Sequence, residues 1–313
     1  MKCLYCNKVI KDNEINEITH QWHTKCIKTF FGSKVMPTID CNLHTITENI
    51  KEFNPGVCGV QKKLSLHLDT NKETRLTLIG YPAGYILKPQ SDEYNKLPEL
   101  EFLSMLMAKE TGIKVVPFAL IKVDNEIAYI TKRIDRDIQN NKIIKYAMED
   151  FCQLENKLTT NKYLGSYERC GEVINKYSSI SSIDKTEFLL LIIFCFVIGN
   201  SDMHLKNFSL IENEKGEFVL SKAYDLLSTN LVIPSDKEEL ALTINSKKSN
   251  FKIKEFKLLA KSLDINDKVL ISLIKKVIDK KDKYIEMIDD SYLDESQKHD
   301  FKQIILTRIE RLC

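Results

Sequence analysis

An uninterrupted apolar run, Phe188 to Ile198 (FLLLIIFCFVI), constrains this chain more than any other stretch. It is too short to span a bilayer, which takes about 20 helical residues. It therefore reads as a helix buried on all sides inside a protein core. The residues that follow, Gly199 to Ser209 (GNSDMHLKNFS), set an Asp, a His, a Lys and an Asn in one short loop.

Asp202 and Asn207 are five apart, the Asp-to-Asn spacing of catalytic loops that transfer phosphoryl groups. In such loops the carboxylate accepts or orients the proton of an attacking hydroxyl. The amide oxygen then holds a magnesium ion that bridges the phosphates. Asp225, in KAYDLLS, is placed to supply a second metal carboxylate from a separate strand. Lys206 lies between the two loop residues, where a cation neutralises charge on the phosphoryl group. Alone the motif is weak, because a polar loop after a buried helix is common and D-x-x-x-x-N recurs by chance. Its weight comes from what precedes it in the chain.

At 313 residues the chain exceeds a typical single domain and fits a two-lobed enzyme with a small appendage. A net charge of +2 argues against direct nucleic-acid binding as a bulk property. The N-terminus, MKCLYCNK, lacks the apolar core of a signal peptide. Nine cysteines, several within apolar segments (Cys152, Cys195), suit a reducing cytoplasm better than a disulfide framework.

Residues 1–33 contain Cys3-x-x-Cys6 and His23-x-x-Cys26, two close ligand pairs of the kind that build small tetrahedral zinc sites. Four protein ligands close such a site, so the zinc would be structural, and a segment this short needs a staple to fold. Reduced thiols without metal are the plain alternative, and His20 competes with His23 as the nitrogen ligand. Residues 34–53 are polar and weakly patterned and read as a linker.

Residues 54–136 read as a β-rich lobe. A turn, Gly56-Val57-Cys58-Gly59, precedes the alternating run at Leu64 to Leu68; glycines there let backbone N–H groups approach phosphates. An ordinary hairpin turn is the alternative. Strand-like runs follow at Arg75–Ile79 and Tyr85–Lys88, and Lys88 ends an apolar strand as a phosphate-contacting lysine does. A snorkelling strand-end lysine is the competing reading. Pro98 and Gly112 punctuate a helix on which Glu101 is placed to face Lys88. Val115–Lys122 and Ile127–Arg133 read as a strand pair around Asp124-Asn125-Glu126, and Lys132 to Arg136 as the crossing to a second lobe. Residues 137–313 read as mostly helical, with helix-like spacing at Met148–Leu154, Tyr167–Tyr177, Ile183–Ile198, Ile253–Leu263, Asp267–Met287 and Ser296–Leu312. The fold class expected is α+β, bilobal and protein-kinase-like, with the zinc-type segment in front.

From about Pro55 onward the chain resembles the HipA-like serine/threonine kinases of bacterial toxin–antitoxin systems. The resemblance rests on GVCGVQKKLSL, YILKP, LPELEFLSMLMAKETGI, ITKRIDR, YAMEDFCQLE, YLGSYE, GNSDMHLKNFSL and AYDLLST, in that order. It implies a bilobal kinase with ATP and magnesium in its cleft, Asp202 as catalytic aspartate, and Asn207 and Asp225 as magnesium ligands. Lys88 would meet the ATP phosphates and the backbone of Lys132 to Ile134 the adenine. The partners implied are a protein substrate in translation, such as an aminoacyl-tRNA synthetase, and an antitoxin or small accessory protein. Neither a membrane nor nucleic acid is expected, and the compartment implied is the bacterial cytoplasm, with translocation into a host cell left open.

Two departures stand out. About 50 residues before the glycine turn leave no room for the family's further N-terminal subdomain, so the chain resembles the short, HipT-like form. Gly56 and Cys58 stand where family members often carry a self-phosphorylated serine, so self-inactivation would need another hydroxyl. Two readings from other classes compete. Asp202-x-His204-x-x-Asn207 also resembles the D-x-H-x-x-N loop of phosphoinositide kinases, which adds His204 to the catalytic candidates and a lipid or small molecule to the acceptors. A kinase-shaped binding module would have lost Asp202, Asn207 or Asp225, and all three are present.

Overall fold

A computed structural model describes residues 1–11, 15–40, 63–69, 74–77, 83–123, 126–139 and 142–313. These fall into two compact units, Met1–Phe102 with Val116–Ile144, and Leu103–Val115 with Lys145–Cys313.

The first unit is built on a six-stranded sheet: β1 (Thr38–Asp40), β2 (Leu64–Asp69), β3 (Arg75–Thr77), β4 (Tyr85–Lys88), β5 (Phe118–Val123) and β6 (Glu126–Lys132). Their order is β1-β3-β2-β4-β6-β5, antiparallel except where β1 runs parallel to β3. In β2 the alternation does what its period predicts, burying Leu64 and Leu66 and exposing Ser65. Strand β5 is buried continuously from Phe118 to Ile121, and Phe102 meets Phe118 edge-on at 5.6 Å. The segment read as linker is in part structured, because Thr38 to Asp40 pair with Arg75 to Thr77. After β6 the chain forms a two-stranded ribbon, β7 (Arg136–Gln139) and β8 (Lys142–Lys145).

The N-terminal segment, with helices α1 (Ile15–His20) and α2 (Thr24–Phe31), belongs to this same unit. Strand β5 lies at the end of the sheet, and an open edge invites unwanted pairing. Here Leu120 N–H donates to Leu4 O at 2.8 Å, and Trp22 Nε1–H donates to Leu120 O at 3.2 Å. Both edge groups of Leu120 are thereby satisfied. Aromatic packing extends the attachment, since Trp22 stacks on Tyr5 at 5.5 Å and Phe30 and Phe31 reach Tyr85 of β4.

The second unit is organised around helix α6 (Ser181–Ile198), in which every residue from Phe188 to Ile198 is buried. Burying each large apolar side chain contributes about 1.5–3 kcal/mol, which this helix collects on all its faces. Around it stand α5 (Tyr167–Tyr177), α8 (Ile253–Ser262), α9 (Asp267–Ile278), α10 (Lys281–Asp289) and α11 (Glu295–Glu310). Helix α3 (Leu97–Glu110) contributes to both units, and α4 (Phe151–Leu154) and α7 (Thr229–Val232) are single turns. A three-stranded antiparallel sheet, β9 (Met148–Asp150), β10 (Ser209–Glu212) and β11 (Phe218–Leu220), completes the unit in the order β11-β10-β9.

Two helix expectations are corrected. Met148 to Asp150 form a strand, because pairing with Ser209 to Ile211 overrides the local helical pattern, and Asp150 then caps α4 by accepting from Gln153 N–H. The expected helix Asp267–Met287 is broken at Lys280, which leaves helical geometry (φ −90°, ψ 1°) and pairs with Glu110 at 2.7 Å. No helix among the described residues is long and apolar enough to cross a membrane.

Because Trp22 is fully buried and holds the sheet edge, Trp22→Ala should cost about 3–5 kcal/mol of stability. Equilibrium unfolding in urea measures this, and a loss under 1 kcal/mol would show that the segment does not support the sheet.

Candidate active site and metal cluster

The polar loop begins where α6 stops. Gly199 adopts the left-handed conformation (φ 70°), and Asn200 N–H donates back to Cys195 O at 2.8 Å, a common helix-ending motif. A side chain at Gly199 would also meet Ile304 at 2.9 Å, so glycine is required twice over. Beyond it, Ser201 N–H and hydroxyl bond Thr229 Oγ1, and the hydroxyl donates to Asp236 at 2.7 Å. Asp202 N–H donates to Asn200 Oδ1 at 3.0 Å.

Asp202 and Asn207 are joined directly, as Asn207 Nδ2 donates to Asp202 O at 2.9 Å. That bond orients the amide and leaves Asn207 Oδ1, the atom able to bind a hard cation, with no protein donor among the described residues. Asp225 follows β11 with φ 60°, a left-handed conformation that Asp tolerates better than most residues. His204 is buried, its Nδ1 without a hydrogen-bond partner among the described residues. Burial lowers its pKa, outweighing the opposing pull of Asp202 and Asp225, so the imidazole is held toward its neutral form. Both carboxylates act electrostatically on this one ring, so Asp225 lies near the polar loop.

Lys206 is placed differently from a free cation. Its ammonium lies 2.6 Å from Asp150, the cap of α4. Tyr163 donates its hydroxyl to Asp202 Oδ1 at 2.5 Å and meets His204 edge-on at 5.0 Å. Tyr224 donates to Lys206 O at 3.2 Å. Sequence reasoning gave no role to Tyr163, Asp150 or Tyr224. YLGSYE and YAMEDFCQLE stood among the matching stretches, but a contact between residues 39 or 56 positions apart leaves no local pattern.

In the first unit, Lys88 Nζ is paired with both oxygens of Glu101 at 2.8 and 3.0 Å, and both residues are buried. The Tyr129 ring, on the strand paired with β4, lies 5.5 Å from the same ammonium. Lys132 and Arg133 N–H groups donate to Pro117 and Gly84 carbonyls at 2.9 Å. Just beyond Ile134, Asp135 is gripped by Arg133 through both oxygens and by Arg136 at 3.0 Å. Burial opposes its ionisation, but these hydrogen bonds prevail and hold its pKa at about 2. The turn Gly56-Val57-Cys58-Gly59 lies outside the described residues.

A second cluster lies in the N-terminal segment. Cys3, Cys6, His23 and Cys26 bring their ligand atoms within 4.8 Å of one another. His23 Nδ1 faces the sulfurs, 3.4 Å from Cys6 and 3.8 Å from Cys26, while Nε2 contacts Val9 O at 3.2 Å. An imidazole with one nitrogen toward soft donors and the other on a carbonyl is oriented as a metal ligand. Burial pushes the Cys3 and Cys26 thiols up. Three sulfurs and one nitrogen in a closed set fit a tetrahedral metal ion.

Comparison with known proteins decides the family. Residues 56–285 match the model for the HipA-like C-terminal domain. The chain belongs to this family. The match takes in Lys88, Glu101, the polar loop and Asp225, and leaves the cysteine cluster outside it. Among curated relatives, Y4dM of Sinorhizobium fredii, carried under a provisional kinase designation, is 31% identical over 241 residues, covering 72% of this chain and 58% of that protein. The serine/threonine-protein kinase toxin HipA of Shewanella oneidensis is 25% identical over 206 residues, covering 61% of this chain and 46% of its own length. The chain thus spans about half the length of these relatives. Among solved structures, the HipA–HipB toxin–antitoxin complex with operator DNA from Shewanella oneidensis shares the fold at TM-score 0.71. That match is 22% identical and covers 87% of this chain and 71% of that one. The Helicobacter pylori proinflammatory kinase CtkA shares it at TM-score 0.55 and 15% identity, covering 80% of this chain and 94% of that one. The fold is the bilobal, kinase-like α+β class of this family.

The Lys88–Glu101 pair offers a test of its own. Removing one partner leaves a buried charge alone, so Glu101→Ala should destabilise by about 3–5 kcal/mol. The double change Lys88→Met/Glu101→Leu should recover much of that loss in urea unfolding. A double variant as unstable as the single one would show that shape, not charge, is what matters there.

Proposed function

We propose that this HipA-family chain is an ATP- and magnesium-dependent serine/threonine protein kinase of the toxin kind. The observation that carries the reading is the joined loop, in which Asn207 donates to Asp202 O at 2.9 Å. In this reading Asp202 orients the acceptor hydroxyl and takes its proton as the phosphoryl group leaves ATP. Lys88, kept in place by Glu101, contacts the ATP phosphates. The backbone from Lys132 to Ile134 receives the adenine. Lys132 and Arg133 N–H groups are already engaged, so Ile134 N–H is the donor left for a base. Asn207 Oδ1 and Asp225 would hold magnesium, which would neutralise phosphate charge. Lys206, steadied by Asp150, adds positive charge beside the loop.

The serine/threonine-protein kinase toxin named HipA among the relatives supports the toxin reading. The substrate class implied by the resemblance in sequence is a protein of the translation machinery, such as an aminoacyl-tRNA synthetase. The HipA–HipB complex supports an antitoxin or small accessory protein as partner. The cysteine cluster holds structural zinc through Cys3, Cys6, His23 and Cys26 and stabilises the first unit without joining the chemistry.

Labelled ATP added to a bacterial extract with the wild-type protein should mark one dominant protein band, lost in Asp202→Gln. Asp225→Asn should abolish the transfer with the fold intact, because Asn tolerates the same backbone conformation and removes only the charge. Wild-type turnover by Asp225→Asn would remove Asp225 from the site, and bound ATP with no labelled protein would move the acceptor to a small molecule. Metal analysis should find about one zinc per chain, lost in Cys3→Ser/Cys6→Ser with a lower unfolding midpoint. A folded, metal-free wild type would overturn the zinc assignment.

A further inference from the structure

We propose that Tyr163 is a positioning residue for Asp202, an inference that rests on the kinase reading of this loop. Its hydroxyl donates to Asp202 Oδ1 at 2.5 Å. An ionised carboxylate has two acceptor oxygens. With Oδ1 engaged, the carboxylate is held in one rotation, and Oδ2 is the oxygen that receives the acceptor's proton. Burial and the hydrogen bond to Asp202 raise the phenol's pKa above the ordinary tyrosine value, which keeps it the donor.

The tyrosine is itself held. Leu205 N–H, inside the catalytic loop, donates to Lys162 O at 3.1 Å, so the two loops are joined one residue before Tyr163. On its other side, Leu164 N–H donates to Asn161 O at 2.9 Å, and Leu164 O accepts from the Lys157 ammonium. Thr243 Oγ1 donates to Gly165 O at 3.3 Å. The ring meets His204 edge-on at 5.0 Å, and the Lys162 ammonium lies 4.9 Å from its centroid. The backbone on both sides of Tyr163 is tied down, and its ring, 39% exposed, rests edge-on against His204, so part of the cost of ordering the hydroxyl is met before reaction. A free tyrosine on a mobile loop would give no such advantage.

Tyr163→Phe keeps the ring and removes only the hydroxyl. Initial rates of ADP release with magnesium and a range of ATP concentrations, in the same bacterial extract, should show kcat reduced about ten- to hundredfold. That is the size of one hydrogen bond to a charged group. KM for ATP should stay within about twofold, and the thermal midpoint within error of wild type. A wild-type kcat in Tyr163→Phe overturns the inference, as does a variant that loses ATP affinity and thermal stability together with rate. Phosphate recovered on Tyr163 of the wild type overturns it in favour of Tyr163 as acceptor. A wild type that turns over no ATP overturns the kinase reading and this inference with it, whereas an active wild type matched by Tyr163→Phe overturns this inference alone.

Discussion

A helical stretch with no polar face, Phe188 to Ile198, holds the polar loop. Phe188 to Ile198 are enclosed on every side, so α6 has no freedom to slide or turn without exposing large apolar groups. Its last turn is gripped further. Arg308 and Arg311 place their guanidinium groups 4.8 and 5.3 Å from the Phe196 ring, and Arg308 donates to Phe196 O at the helix terminus. Cations at that end suit the helix dipole. Arg308 also donates to Asn230, whose own N–H donates to Gly199 O. The start of the polar loop is therefore fixed by the core on one side and by α11 and the 229–230 segment on the other.

In the first unit a similar logic operates with a different device. Lys88 and Glu101 are buried as ions, an arrangement that adds little net stability because desolvation offsets attraction. Its effect is geometric, since the lysine is held where its own strand and α3 agree. The sheet that carries Lys88 would end in an open strand at β5, and the N-terminal segment takes up both edge groups of Leu120. The cysteine cluster and the Trp22–Phe30–Phe31 packing are thus one reinforcement of the sheet.

Legibility followed the range of the forces involved. The buried helix was readable because eleven consecutive apolar residues admit little else, and α5 because its stripe is purely local. Met148 to Asp150 misled because the partner that makes them a strand lies some 60 residues downstream. The chain leaves helical geometry at Lys280 with neither Gly nor Pro as a signal. In the polar loop, the residue types and spacing of Asp202 and Asn207 singled out two residues that the structure joins by a hydrogen bond. Tyr163 was not legible, because nothing in the local sequence YLGS announces which carboxylate the tyrosine will reach.

The polar groups of the loop show one shared design. Asp202 is met by Tyr163, Lys206 by Asp150, Ser201 by Thr229 and Asp236, and Asn207 by the backbone of Asp202. Apart from the contact within the loop, the partners come from separate segments of the same unit, at Asp150, Tyr163, Thr229 and Asp236. Such cross-bracing matters for phosphoryl transfer, where little covalent chemistry falls to the protein and rate depends on dipoles already aimed before charge develops. Asp225 extends the logic to the backbone. A left-handed aspartate costs more than a glycine would, and in the kinase reading the carboxylate is the reason for keeping it there.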